Sequence, residues 1–139
     1  MNLELIKKYE GFSSEAYKCS AGVWTIGYGH TGVDVTKGVT ITEKEASLLL
    51  KKEVEKLQEQ ILFLLDNKVT TNELDALTSL VYNVGLGVLK KSRLLKRINS
   101  KDNPELIAKE WIEFNKASGK VMKGLVRRRA EEICLYFTN

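Results

Sequence analysis

Apolar residues recur at helical spacing along most of this chain and give way to an alternating, glycine-rich stretch only near its start. Leu3, Ile6 and Tyr9 share one side of a short helix over residues 3–9, and Gly11 breaks it, leaving Glu10 at its C-terminal edge. From Phe12 to Val35 glycines become dense and β-formers dominate: Tyr17, Val23, Trp24, Thr25, Ile26 and Tyr28. Ser20-Ala21-Gly22 reads as a turn between two short strands of a small antiparallel sheet. Thr42 and Glu45 then form a capping box, and Glu43 adds negative charge to the first turn of the helix they start. Ala46, Leu49, Leu50, Val54, Leu57, Ile61 and Leu64 keep helical register behind that cap. Such a helix is about 30 Å long at 1.5 Å per residue. That length suits a strut joining two lobes.

Thr70 or Thr71 caps the next helix, whose apolar face is Leu74, Leu77, Leu80, Val81 and Val84, and Gly85 and Gly87 stop it. Residues 91–98 read as a short helix and 99–103 as a polar turn. Asn103-Pro104 is an N-cap followed by proline at the first helical position, and Leu106, Ile107, Trp111 and Phe114 continue that helix. Residues 117–120 read as a loop, with a last helix from about Leu125 to Phe137. The expected fold is α+β and mostly helical, a single domain over 1–139. A small β-containing lobe with its connecting helix (about 9–58) faces a helical lobe (1–8 and 59–139) across a cleft, where substrates usually bind.

Composition narrows the classes. A chain of 139 residues with 43% apolar and 29% charged residues is an ordinary globular domain that needs no staples. The most apolar run, Ile61 to Leu65, is far too short to cross a bilayer, so no stable membrane insertion is expected. The first eight residues carry acidic and basic residues at helix spacing and lack the apolar core of a signal peptide, which points to a cytoplasmic protein that another agent must bring to its substrate. Lys and Arg exceed Asp and Glu by 22 to 18, and six basic residues with no acid lie between Leu86 and Lys101. That block attracts polyanions, nucleic acid or the anionic bacterial wall, although a solvated helix face is the plainer reading. Two cysteines and one histidine give neither a disulfide framework nor a metal set. Cys134, among Ile133, Leu135 and Phe137, reads as a small buried core residue.

One constellation carries chemistry. Eight residues separate Glu10 from Cys19 and five separate Cys19 from Thr25. A carboxyl at a helix end, opposite a thiol and a hydroxyl on a hairpin, supplies an acid and a water-positioning pair. Hydrolysis of a glycoside needs both. This spacing resembles the catalytic triad of the phage-type lysozymes, the endolysins of the T-even and related phages (glycoside hydrolase family 24), in which Asp or Cys holds the middle position. Gly27-Tyr28-Gly29-His30-Thr31, Asn83-Val84-Gly85 and the segment Gly124 to Glu131 are similar to further motifs of that family, in the same order.

The resemblance implies a lysozyme-like fold and a cofactor-free monomer acting on bacterial peptidoglycan, not nucleic acid. It implies holin-type export to the wall and lysis of the host by cutting the N-acetylmuramic acid–N-acetylglucosamine β-1,4 bond. Glu10 becomes the general acid, which must be partly buried to keep its proton. Thr25 holds the attacking water and Cys19 sits beside it, with inversion as the outcome. His30 takes a supporting role fixing the hairpin. Gly27 lets the backbone turn or run close to substrate. Trp24 and Tyr28 either stack on sugars or fill the core. Asn83 either bonds an acetamido group or closes its helix. One of Arg128 and Arg129 faces the lobe interface and pairs with acids near Glu10, while the remaining arginines stay in solvent. Three rivals remain: a wall-binding module of the same fold that no longer cuts, a basic nucleic-acid binder, and a lytic transglycosylase, against which Thr25 argues.

Overall fold

The computed structural model describes residues 1–139 in full. Seven helices and five strands follow in the order α1 (Glu4–Glu10), β1 (Ser13–Lys18), β2 (Trp24–Gly27), β3 (His30–Thr31), α2 (Glu43–Leu64), α3 (Thr71–Val84), α4 (Leu86–Lys90), α5 (Arg93–Asn99), α6 (Pro104–Ile112), β4 (Lys116–Ala117), β5 (Lys120–Val121) and α7 (Lys123–Tyr136). The fold is α+β and mostly helical. The chain divides into two compact units, Leu3–Glu55 and Met1–Asn2 with Lys56–Asn139, and α2 contributes to both.

In the first unit, α1 ends where Gly11 takes φ 70° and its N–H bonds to Lys7 O, so Glu10 is the last helical residue. The sheet is antiparallel in the order β1-β2-β3. Tyr17 pairs with Thr25 and Lys18 with Trp24 across β1–β2, and Thr25 pairs with Thr31 and Ile26 with His30 across β2–β3. Ile6, Ile26, Tyr28, Val35, Ala46, Leu50 and Val54 form the interior of this unit. Each fully buried Ile, Leu or Val among them contributes about 1.5–3 kcal/mol. Gly27 lies where a Cβ would come within 3.1 Å of the Ala46 Cβ, so glycine lets β2 lie directly on α2. The capping box at the start of α2 is formed in both directions, Glu45 N–H to Thr42 Oγ1 and Thr42 N–H to Glu45 Oε1, each at 3.1 Å.

The second unit is built around Ile61, Leu77, Leu80, Leu89, Leu94 and Trp111, all essentially without solvent contact. Thr70 caps α3 with a complete capping box to Glu73. Asn103 caps α6 ahead of Pro104. Asn99 closes the end of α2, donating to Leu64 O at 2.9 Å and accepting from Asp66 N–H at 3.0 Å.

Three local expectations are corrected. Gly87 does not prolong the stop at Gly85 but sits inside the short helix α4. Residues 116–121 form a two-stranded hairpin rather than a plain loop, with Ser118 in the left-handed region at φ 51°. Cys134 is exposed: α7 buries Arg128, Arg129, Glu132 and Tyr136, and position 134 points away from that stripe.

Candidate active site

Glu10, Cys19 and Thr25 all belong to the unit Leu3–Glu55. Glu10 is half-buried at the end of α1. Cys19 follows β1 in the tight turn that leads to β2. Its N–H bonds to Val23 O at 3.0 Å, and Gly22 N–H bonds back to Cys19 O at 2.8 Å. Thr25 is 5% exposed in the middle strand of the sheet, and its Oγ1 donates to Val23 O at 3.0 Å. Cys19 and Thr25 are neighbours through this turn, and the fold brings them together. Backbone hydrogen bonds at Val23 and Ala21 hold the Cys19 thiol below its ordinary pKa, against a smaller opposing effect of burial. A larger thiolate fraction leaves the sulfur more often in the form that can accept a proton.

The supporting residues separate into two groups. Trp24 is half-buried and carries Lys18 Nζ 5.5 Å from its ring centroid. Tyr28 is interior, with Phe12 5.6 Å away ring to ring, and its hydroxyl donates to Glu43 Oε1 at 2.9 Å. Burial first, and then the Glu43 carboxylate, push the Tyr28 phenol upward. Of the two roles open to Tyr28, core and sugar platform, its surroundings are those of the core. His30 Nδ1 lies 2.6 Å from Glu53 Oε1 on α2, and its Nε2 lies 3.2 Å from Asp34 Oδ2.

Asn83, Arg128 and Arg129 lie in the second unit. Asn83 is exposed, and its Oδ1 accepts from Arg129 at 2.9 Å. Arg128 donates to Ser79 O at 3.0 Å and to Ser79 Oγ at 3.3 Å. Both guanidinium groups converge on Glu132, Arg129 at 2.7 Å and Arg128 at 3.3 Å. Ser79 Oγ donates to Glu132 at 2.6 Å and Trp111 Nε1 donates at 3.1 Å. Arg127 stays exposed, but Arg128 and Arg129 are both buried where only one of them was expected to leave solvent, because Glu132 stands three and four residues on and offers a carboxylate to each.

Sequence reasoning missed Glu132 and Glu53. Glu132 had a visible signal, since it stands three and four residues beyond Arg129 and Arg128 on one helix. Glu53 had none, lying 23 residues from His30 in sequence.

A mostly helical α+β fold with an acid ending its first helix and a thiol–hydroxyl pair on a short sheet defines a lysozyme-like protein. The chain belongs to the phage lysozyme family, whose pattern matches residues 7–132. It is 43% identical over 138 residues to an endolysin of Bacillus phage B103, covering 98% of this chain and 52% of that protein. The chain thus spans about half the length of the first curated relatives it matches. In structure it is similar to the muramidase domain of SpmX from Asticaccaulis excentricus (TM-score 0.90, 32% identity, 99% of this chain and 95% of that one). It is also similar to a mutant lysozyme of phage P22 (TM-score 0.86, 34% identity, 98% and 94%).

Proposed function

We propose that this chain is the muramidase of a phage endolysin. It hydrolyses the β-1,4 bond between N-acetylmuramic acid and N-acetylglucosamine in bacterial peptidoglycan, with inversion at the anomeric carbon. The observation that carries this reading is the Cys19–Thr25 pair, a polarised thiol beside a buried hydroxyl, in the same compact unit as Glu10.

Glu10 gives its proton to the leaving glycosidic oxygen. With the Thr25 hydroxyl proton directed at Val23 O, its lone pairs accept one hydrogen of a water molecule. The Cys19 thiolate accepts the other, which leaves the water's lone pair facing the anomeric carbon. As the carbon–oxygen bond forms, that second proton passes to sulfur, so the acid ends ionised and the thiolate protonated. Inversion follows from a water standing between the base pair and the sugar.

Trp24 stacks on a sugar ring of the substrate, and Gly27, Tyr28 and His30 support the hairpin. Asn83 has its carbonyl held by Arg129, which leaves its NH2 to donate to an acetamido oxygen. The protein acts as a monomer without cofactor. It is made in the host cytoplasm and released to the wall through a holin-type lesion. No helix is long and apolar enough to cross a membrane.

Digestion of purified peptidoglycan followed by mass spectrometry and anomer-resolved NMR tests this. Reducing muramic ends with the α-anomer formed first are expected. Anhydro ends would make the chain a transglycosylase, and binding without release of ends would make it a non-cutting wall module.

A further inference from the structure

The register of the small sheet decides which side chains share a face. Tyr17 stands directly opposite Thr25, and Thr25 opposite Thr31, so the three form a row across β1, β2 and β3 on one face. The pairing continues one step past β1, where Cys19 N–H bonds to Val23 O at 3.0 Å. Side chains alternate along a strand, so Cys19, two residues after Tyr17, and Val23, two before Thr25, fall on that same face. Lys18, Trp24, Ile26 and His30 take the other, which Ile26 turns toward the interior of the unit. Any sugar on Trp24 is thus a different one from the sugar that meets Cys19 and Thr25.

Tyr17 is the aromatic of the face that carries the thiol and the hydroxyl. Residues opposed across antiparallel strands have Cβ atoms about 4.5–5.5 Å apart, so the Tyr17 ring starts beside the Thr25 side chain. Tyr17 is 42% exposed and Val23 47%, whereas Thr25, flanked by both, is 5% exposed. A sheltered hydroxyl therefore has open apolar surface on two sides. The Tyr17 hydroxyl bonds to no other group of the protein. Tyr28 and Tyr136 differ on both counts: their rings are buried, and their hydroxyls are held by Glu43 and Glu73.

We infer that Tyr17 is a substrate-contacting residue. Its ring packs on the carbon–hydrogen face of the N-acetylmuramic acid whose anomeric carbon takes the water, and so sets that sugar against the Cys19–Thr25 pair. A tyrosine suits this task, because it offers a large rigid surface with only two side-chain torsions to fix. Its hydroxyl stays at the wet rim, free to bond to the sugar or to solvent. This rests on the muramidase reading above, which places the attacked carbon beside Cys19 and Thr25.

The test compares Tyr17→Ala and Tyr17→Phe with the parent on soluble peptidoglycan fragments. Because the ring is open to solvent, Tyr17→Ala is expected to fold and to melt close to the parent. Its KM is expected to rise about threefold to tenfold, the range of one aromatic contact. A contact made equally in ground and transition states leaves kcat changed by less than about twofold. Tyr17→Phe, which keeps the ring, is expected to recover most of the loss in KM. A second readout needs no cutting and uses the parent tyrosine. A peptidoglycan tetrasaccharide titrated into Glu10→Gln protein is expected to shift the proton resonances of the Tyr17 ring, identified by their loss in the Glu10→Gln, Tyr17→Phe double variant. A folded Tyr17→Ala protein with unchanged KM, or a Tyr17 ring whose resonances stay in place as the tetrasaccharide saturates, would overturn the proposal and leave the muramidase reading intact. Failure of the parent to release any reducing ends would defeat that reading instead.

Discussion

Replacing Glu132 with Gln isolates the polar centre of the helical unit. The Glu132 side chain has no solvent contact, and its two oxygens receive Ser79 Oγ at 2.6 Å, Trp111 Nε1 at 3.1 Å and Arg129 NH2 at 2.9 Å. Arg129 Nε at 2.7 Å and Arg128 Nε at 3.3 Å add ion-pair contacts. Every one of these neighbours is a donor. Glutamine keeps one acceptor and puts an NH2 where the other stood, so donors meet donors whichever way the amide is turned. The carboxylate on which two buried guanidinium groups converge is also gone. Breaking a buried ion pair from one side costs about 3–5 kcal/mol, out of a total stability of roughly 5–15 kcal/mol for a domain of this kind. Urea unfolding followed by circular dichroism measures the loss. With a slope near 2 kcal/mol/M, the midpoint is expected to fall by about 1.5–2.5 M. Thermal melting is expected to drop by roughly 10–20 °C. A folded Glu132→Gln protein within about 1 kcal/mol of the parent would refute the view that this carboxylate organises α3, α6 and α7. Replacing Arg128, Arg129 and Glu132 together with apolar residues of matching volume is expected to cost far less than the single change.

Two further outcomes follow from titrating groups. Because backbone hydrogen bonds favour the Cys19 thiolate, alkylation of Cys19 is expected to proceed at a pH where an ordinary thiol is mostly protonated, and to abolish wall clearing. Peptide mapping at several pH values reads the rate, and Cys19→Asp is expected to clear walls and resist the reagent. Tyr136 is pushed up to about 12, first by burial and then by Glu73. The folded state therefore favours the neutral phenol, and its contribution is complete below the unfolded value near 10 and is lost as pH rises toward 12. The upper bound is about 2.7 kcal/mol for two pH units, less where solvent reaches the phenol. Melting temperature scanned from pH 9 to 12 is expected to fall less steeply in Tyr136→Phe than in the parent.

The starts of α2, α3 and α6 were the most legible part of this chain, because each rests on a bond between residues three apart. Thr42 with Glu45, Thr70 with Glu73 and Asn103 before Pro104 all cap helices where the spacing says they should. The glycine at position 11 likewise marks the end of α1 and thus the setting of Glu10. What local spacing did not carry is tertiary. Gly87 looks like a breaker, yet Leu86 and Leu89 pack on the core and draw it into α4. Cys134 looks apolar among apolar neighbours, yet the buried stripe of α7 is set by the charged residues Arg128, Arg129 and Glu132, which no hydrophobic pattern reveals. In the site, Cys19 and Thr25 were legible as a pair because one turn joins them. The partners of His30 were not, since Glu53 reaches it from another element.

The central claim is that Glu10 delivers the proton that breaks the glycosidic bond. Its most direct test is Glu10→Gln, with folding verified by an unchanged or raised melting temperature, assayed by release of reducing ends from purified walls. Removing a general acid is expected to lower the rate by about 10²–10⁴-fold while wall binding persists. Release within a few fold of the parent rate would contradict the account.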